Sequence, residues 1–324
     1  VFMRNKGEKT EQELELSQML LGEVNEENSR MRKAWEIRED DLTFERKLAS
    51  GSFGEVWSAT WGHIPVAVKT LHAHLAEFPS EMVEFEREAI FMQSIRHPNL
   101  LIFYGAGIKT DGMPFLVVEL MAKGSMSDLI KKESLPWSTR RRFALEVAQG
   151  MAHLHSLDSL HRDLKSDNCL VDDKLHVKVG DFGNSRLMSA YYGDGEMQQN
   201  TYVAETRRAS DRSDRFKSLT SEVGTLLWMA PELLIGGNKA YGKEVDMFSF
   251  GIVMWELLSM EFPWDNHFND APSLIVIRRE LTQMLLSGKR PTLPEHSNDT
   301  DYAPYIALMK RCWATQADTR PPFA

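Results

Sequence analysis

Two features of the sequence point toward phosphate chemistry. Ser50-Gly51-Ser52-Phe53-Gly54 forms a glycine-rich turn between two segments of strand character. Glycine there lets backbone N–H groups approach phosphate oxygens without side-chain obstruction. Taken alone, the same pattern also describes an ordinary hairpin. The turn runs into a strand and not into a helix, which excludes the dinucleotide-binding form of such a turn. Val66-Ala67-Val68-Lys69 follows on the next strand. A lysine that interrupts an apolar strand is costly unless its ammonium is paired, for instance with phosphates and a carboxylate. Glu88 is the natural carboxylate, because the apolar stripe of its helix turns that stretch toward the sheet. A surface lysine and a solvated helix glutamate are the competing descriptions of the two residues taken singly.

Three further motifs follow in order. His161-Arg162-Asp163-Leu164-Lys165-Ser166-Asp167-Asn168 precedes Asp181-Phe182-Gly183, and Ala230-Pro231-Glu232 comes last. With the glycine turn and the strand lysine, they make up the ordered signature of the eukaryotic protein kinases. From about Asp41 to its last residue the chain therefore resembles that family. The resemblance implies an α+β, two-lobed protein kinase fold, with a small β-rich N-lobe carrying one long helix and a larger, mainly helical C-lobe. It also implies ATP and Mg2+ as cofactors and proteins as substrates.

The resemblance carries over residue by residue. Lys69 is expected to hold the α- and β-phosphates and to be held in turn by Glu88. Asn168 and Asp181 are the expected magnesium ligands, hard oxygen donors suited to a hard cation. Asp163 is expected to orient the acceptor hydroxyl and take its proton, with Lys165 placed to meet the transferring phosphoryl group. Gly51 and Gly54 would let the loop close over the nucleotide. Val56 and Ala67 would wall the adenine pocket, Val118 would control access behind it, and Glu119-Leu120-Met121 would form the hinge. Glu232 and Arg320 are expected to pair, Asp246 to accept backbone hydrogen bonds from the catalytic loop, and Phe182 to pack with His161. Ala49 departs from the family pattern, which begins the turn with glycine. Its Cβ bears on nucleotide affinity or loop mobility and removes no catalytic group. It is the one feature that favours a nucleotide-binding scaffold over an active enzyme.

Lys165 in the HRDLKxxN form, and Thr225 in Gly224-Thr225-Leu226-Leu227-Trp228-Met229-Ala230-Pro231-Glu232, resemble serine/threonine kinases. Trp228-Met229, Trp35-Glu36-Ile37, Arg311-Cys312-Trp313 and Arg320-Pro321-Pro322-Phe323 are similar to the tyrosine-kinase-like branch, which holds the Raf-type and mixed-lineage kinases. Core packing accounts for the same aromatic residues equally well.

The elements that must position these groups follow from periodicity. Strands are expected at Phe44–Leu48, Glu55–Thr60, Pro65–Thr70, Leu100–Tyr104 and Phe115–Glu119, with a helix at Glu81–Ile95. After Gly124 the pattern becomes helical, at Met126–Lys132, Ser138–Ser156, Lys243–Met260 and Leu274–Leu286. The N-lobe is thus 41–121 and the C-lobe 122–324, the latter stopping where relatives continue into a final helix. Residues 1–40 are polar and Glu-rich, with Leu14, Leu21, Val24, Met31 and Trp35 near a seven-residue repeat. They read as a helix packed on its own domain, or as a short coiled coil offering a helix partner.

Composition sets outer limits. With 324 residues and 42% hydrophobic content, the chain can build a two-lobed core. A formal net charge of −9 argues against nucleic acid as a partner. No apolar run reaches the length of a membrane span. Two cysteines, Cys169 and Cys312, are too few for a disulfide framework and suit a cytoplasmic location. The opening at Val1 points to a piece of a longer protein. Between Asp181 and Glu232 lies a long segment rich in hydroxyl groups. Ser218, Thr220 and Ser221 are the expected sites at which phosphorylation would order it against Arg162. A solvated insert without that role is the alternative.

Overall fold

The computed structural model describes residues 35–51, 54–76, 78–187, 225–236, 241–264, 267–268, 273–295 and 300–323. Two lobes are built from the expected material. The small lobe is a five-stranded antiparallel sheet of β1 (Leu42–Ser50), β2 (Gly54–Trp61), β3 (Ile64–Leu71), β4 (Phe103–Ile108) and β5 (Pro114–Glu119), in the order β1-β2-β3-β5-β4. A single helical turn, Ala73–Ala76, leads into α1 (Pro79–Ser94), which packs on one face of the sheet.

Strand alternation divides the side chains of β3 cleanly. Val66 and Val68 join Phe115, Val117, Ile37 and Leu42 on the face away from α1. Leu71 lies with Leu116, Phe85 and Ala89 on the α1 face. Lys69, an even number of residues from Leu71, is therefore aimed at the helix and the interlobe cleft.

One strand differs from expectation. Leu100–Tyr104 was the expected fourth strand, and β4 instead runs Phe103–Ile108. Leu100 and Leu101 are buried in the core shared with the large lobe, where Leu101 N donates to Val179 O at 2.8 Å and Val179 N to Asn99 O at 2.9 Å. Gly105 and Gly107 then lie inside a strand, where glycine is ordinarily unfavourable. The reason is a close backbone approach: a Cβ on either would collide with the carbonyl oxygen of Trp35 or Ile37. Ile37 N donates to Ala106 O at 2.9 Å, so the segment Trp35–Asp40 is laid along β4 as part of the small lobe. The remainder of the Glu-rich region, residues 1–34, lies outside the described residues.

The large lobe contains β6 (Gly124–Ser125), α2 (Met126–Lys132), α3 (Trp137–Ser156), β7 (Ser159–Leu160), β8 (Cys169–Val171), β9 (Val177–Val179), β10 (Arg186–Leu187), α4 (Pro231–Ile235), α5 (Glu244–Ser259), α6 (Leu274–Leu286) and α7 (Ala303–Cys312). Ser125 caps α2 by accepting from Asp128 N at 3.1 Å. α5 is buried along nearly its whole length, including Asp246 and Glu256. A helix apolar on every side belongs at the centre of a lobe, and the polar side chains it carries there must each have partners.

Candidate active site

Lys69 is centred on two carboxylates. Its Nζ lies 2.8 and 2.9 Å from the two oxygens of Glu88 and 3.2 Å from Asp181 Oδ1. The β3 alternation presents the lysine, and α1 presents Glu88 from the opposite wall. Phe182, fully buried, packs against Phe91 of α1 on one side and His161 on the other, with ring centroids 5.7 and 5.5 Å apart. That stack ties the position of α1, and hence of Glu88, to the segment that carries Asp181. Burial disfavours the ammonium of Lys69, but the two carboxylates outweigh it and raise its pKa above the ordinary value. Lys69, in turn, is the main influence holding Asp181 below the usual carboxylate range. Asp181 has left-handed backbone, with φ 61°, and its side chain remains 49% exposed, open to the cleft.

Asp163 sits 3.0 Å from Lys165 Nζ, and Lys165 reaches on to Thr225 Oγ1 at 2.7 Å. Asn168 Nδ2 donates to the backbone oxygen of Asp163 at 2.7 Å and to its carboxylate at 3.1 Å. With its nitrogen so used, Asn168 has its amide oxygen to offer elsewhere. Burial raises the Asp163 carboxyl above its ordinary value, with Lys165 pulling the other way. The loop itself hangs from α5. Asp246 accepts from His161 N, Arg162 N and His155 Nε2, each at 2.8 Å. Burial works against ionised Asp246, but these donors prevail and lower its pKa. His161 donates from Nε2 to Gly180 O at 3.0 Å and accepts at Nδ1 from Asp163 N, which assigns its tautomer.

The glycine turn has two different reasons for its two glycines. Gly51 faces open space, whereas a Cβ on Gly54 would collide with the carbonyl of Thr70. Gly54 is thus required by the packing of β2 on β3 as well as by loop chemistry. Ala49 is exposed, opposite Val56 in the β1–β2 register. Ala67, Val118 and Met121 belong to the core that extends into the large lobe, with Val56 packed against it. The Glu119 carboxylate accepts from Ile102 N at 2.7 Å and from Lys178 at 2.8 Å. Its side chain is therefore a brace between hinge and β9, and its backbone N–H donates to Ile102 O at 3.0 Å.

Comparison with known proteins agrees with this geometry. The family model described as protein kinase domain matches residues 42–324. The chain belongs to the protein kinase family. It is 34% identical over 291 residues to serine/threonine-protein kinase CTR1 of Arabidopsis thaliana, covering 88% of this chain and 30% of the relative. It is 32% identical over 295 residues to serine/threonine-protein kinase STY46 of the same plant, covering 90% of this chain and 44% of the relative. A serine/threonine-protein kinase/receptor of Acanthamoeba polyphaga mimivirus, R831, is 33% identical over 292 residues, or 89% of this chain and 16% of that protein. The kinase chain thus spans less than half the length of these relatives.

Two expected structural pairings of the kinase fold are present. Arg320, whose side chain is wholly buried, meets both Glu232 oxygens, at 2.6 and 3.0 Å. Thr225 meets Lys165 as described. The phosphorylation sites expected at Ser218, Thr220 and Ser221 lie outside the described residues. Arg162, their expected partner, has left-handed backbone (φ 67°) and lies with its guanidinium 5.7 Å from the Tyr241 ring centre. The sequence reading missed His155, Lys178, Ser166 and Glu256. Each meets its partner across dozens of residues of chain, and no local periodicity marks it. An acid within the apolar run of α5 was the one available signal for Glu256. Among the described residues, no helix is long and apolar enough to cross a membrane.

Proposed function

We propose that this chain transfers the γ-phosphoryl group of ATP to serine and threonine hydroxyls of proteins. The observation that carries this reading is the convergence of two hydrogen-bonded groups, Lys69–Glu88–Asp181 and Asp163–Lys165–Asn168, close enough to act on each other's charge. Lys69, fixed by Glu88, binds the α- and β-phosphates. Gly51 and Gly54 bring backbone N–H groups over them, and Val56, Ala67 and Met121 enclose the adenine, whose polar edge meets the backbone from Glu119 to Met121. Asp163 orients the acceptor hydroxyl and takes its proton as the oxygen attacks phosphorus. Lys165, held by Thr225, meets the negative charge that spreads over the transferring oxygens.

The donor set fits magnesium. Among the described residues no group of three or more histidine, cysteine or acidic side chains could hold a metal by itself. Mg2+ characteristically takes one or two protein oxygens and fills its octahedron with phosphate oxygens and water. Asp181, exposed to the cleft, and the amide oxygen of Asn168 are those two groups. The bound cation supplies charge neutralisation at the phosphates.

Serine/threonine choice rests on Lys165 and Thr225 and on the names of the relatives. A cytoplasmic setting, phosphorylation of the activation segment, and a helix partner for the part of residues 1–40 that precedes Trp35 complete the reading. The test is phosphate incorporation from ATP and Mg2+ into the chain and a generic basic protein, beside Lys69→Met and Asp163→Asn. Phosphoserine and phosphothreonine that vanish in both variants support it. ATP binding without transfer in the unaltered protein would overturn it in favour of a nucleotide-binding scaffold.

A further inference from the structure

Glu256 is a buried acid that forms no ion pair among the described residues, at 2% exposure in the middle of the large lobe. One carboxyl oxygen receives Ser166 Oγ at 2.5 Å and the other receives Trp228 Nε1 at 2.7 Å. Ser166 lies between Lys165 and Asn168, in the short 3-10 turn of the catalytic loop. Trp228 lies three residues beyond Thr225, and its carbonyl accepts from Ser249 of α5 at 2.9 Å. A single α5 side chain therefore touches both strands of chain that build the phosphoryl-transfer site. A second connection between them is the part-buried bond of Lys165 to Thr225.

We propose that Glu256 is a positioning residue for phosphoryl transfer, a brace that fixes the catalytic loop through Ser166 to the end of the activation segment through Trp228. The inference rests on the kinase reading above. Its consequence is geometric. Loss of the brace leaves the Ser166 hydroxyl and the Trp228 indole N–H without their buried acceptor, a costly state that the loop relieves by shifting. A shift of about 1 Å at Lys165 or Asn168 is enough to slow an aligned displacement by orders of magnitude.

The surroundings describe the form in which Glu256 works. Asp167 of the loop and Cys169 of β8 stand near it, Lys131 of α2 is a basic side chain acting on it, and Glu261 follows the end of α5 beside the same small cavity. Burial is the largest influence and pushes its carboxyl up to about 8. Glutamine keeps the shape of the side chain and one acceptor oxygen.

The experiment compares Glu256→Ala, Glu256→Gln and Ser166→Ala in the full chain at pH 7, reading kcat and the KM for ATP with magnesium. Hydrogen exchange is followed over 161–169 and 225–230. Glu256→Ala is expected to lower kcat about tenfold or more, with KM for ATP within about twofold. It should also speed exchange in both segments together. Glu256→Gln should restore most of kcat and the protection of both segments, and Ser166→Ala should loosen the catalytic loop without touching 225–230. Unchanged kcat and exchange in Glu256→Ala overturn the proposal, as does faster exchange confined to one of the two segments. If Glu256→Ala does not fold, the glutamine and Ser166 variants decide by the same readings. Should the unaltered chain transfer no phosphate, the kinase reading fails by itself, and exchange still judges the brace.

Discussion

Lys165 and Thr225, sixty residues apart in the chain, meet through a 2.7 Å hydrogen bond, and Lys165 holds Asp163 with the same ammonium at 3.0 Å. The threonine hydroxyl thus orients the lysine that the proposed mechanism places at the transferring phosphoryl group. Thr225→Val, which keeps the shape and removes the oxygen, is expected to lower kcat about tenfold or more, with KM for ATP within about twofold. Thr225→Ser should retain most of the activity. Steady-state kinetics on both variants checks this, and equal rates for valine and wild type would show that the bond contributes nothing.

Gly54 and Gly51 should respond differently to alanine. At Gly54 the added methyl collides with the Thr70 carbonyl, between paired strands that have little room to part. Gly54→Ala should cost about 1–3 kcal/mol of stability. Gly51→Ala meets nothing within 4 Å and should leave the melting temperature in place while raising the KM for ATP. Thermal denaturation and nucleotide titration separate the two.

Arg320 anchors the end of the activation segment to the large lobe. Besides Glu232 it donates to Glu244 O at 2.8 Å and Ala314 O at 2.9 Å. Removing it strands a carboxylate and three carbonyls, the third being Thr315 O at 3.4 Å, so Arg320→Ala should destabilise the protein by about 3–5 kcal/mol. Glu232→Gln, which keeps an oxygen for Arg320, should cost less. Urea denaturation of both variants measures the difference, and equal losses would contradict the assignment.

Stability should also carry the signature of Glu256. An ordinary glutamate titrates near 4.5, whereas the folded protein holds this one at about 8. Between those values the unfolded chain has released the proton and the folded chain keeps it. Folding therefore takes up a proton, and stability falls as pH rises through this window, by at most about 1.4 kcal/mol per pH unit. Below 4.5 and above about 8 the contribution is flat. Urea unfolding of wild type and Glu256→Gln at pH 5 to 9 should show the glutamine variant gaining relative stability up to about pH 8. A constant difference across the range would place the carboxylate in its ionised form throughout.

The sequence by itself determined the lobes, most strand and helix limits, and which residues make up the Lys69–Glu88–Asp181 and Asp163–Lys165–Asn168 groups. Those features are local. α2 and α6 fall at the expected residues, because a capping serine and helical spacing act within a few positions of chain. Lys69 and Asp163 were legible because a charged group in an apolar strand, and an ordered motif, stand out in one dimension.

Tertiary structure alone decided the rest. β4 lies three residues later than expected at its start because Leu100 and Leu101 are claimed by the core beside Val179, a contact invisible to strand periodicity. Gly105 and Gly107 sit inside β4 because the backbone of Trp35–Ile37 is laid across them, an approach that no local pattern marks. Glu119 reads as a hinge residue, yet its side chain is spent on Lys178, 59 positions away. Glu256 reads as one acid in an apolar helix, and its partners lie 90 and 28 positions back along the chain. Desolvation of a carboxyl, and the donors that compensate for it, depend on which distant segments close over it, and only the folded chain specifies those.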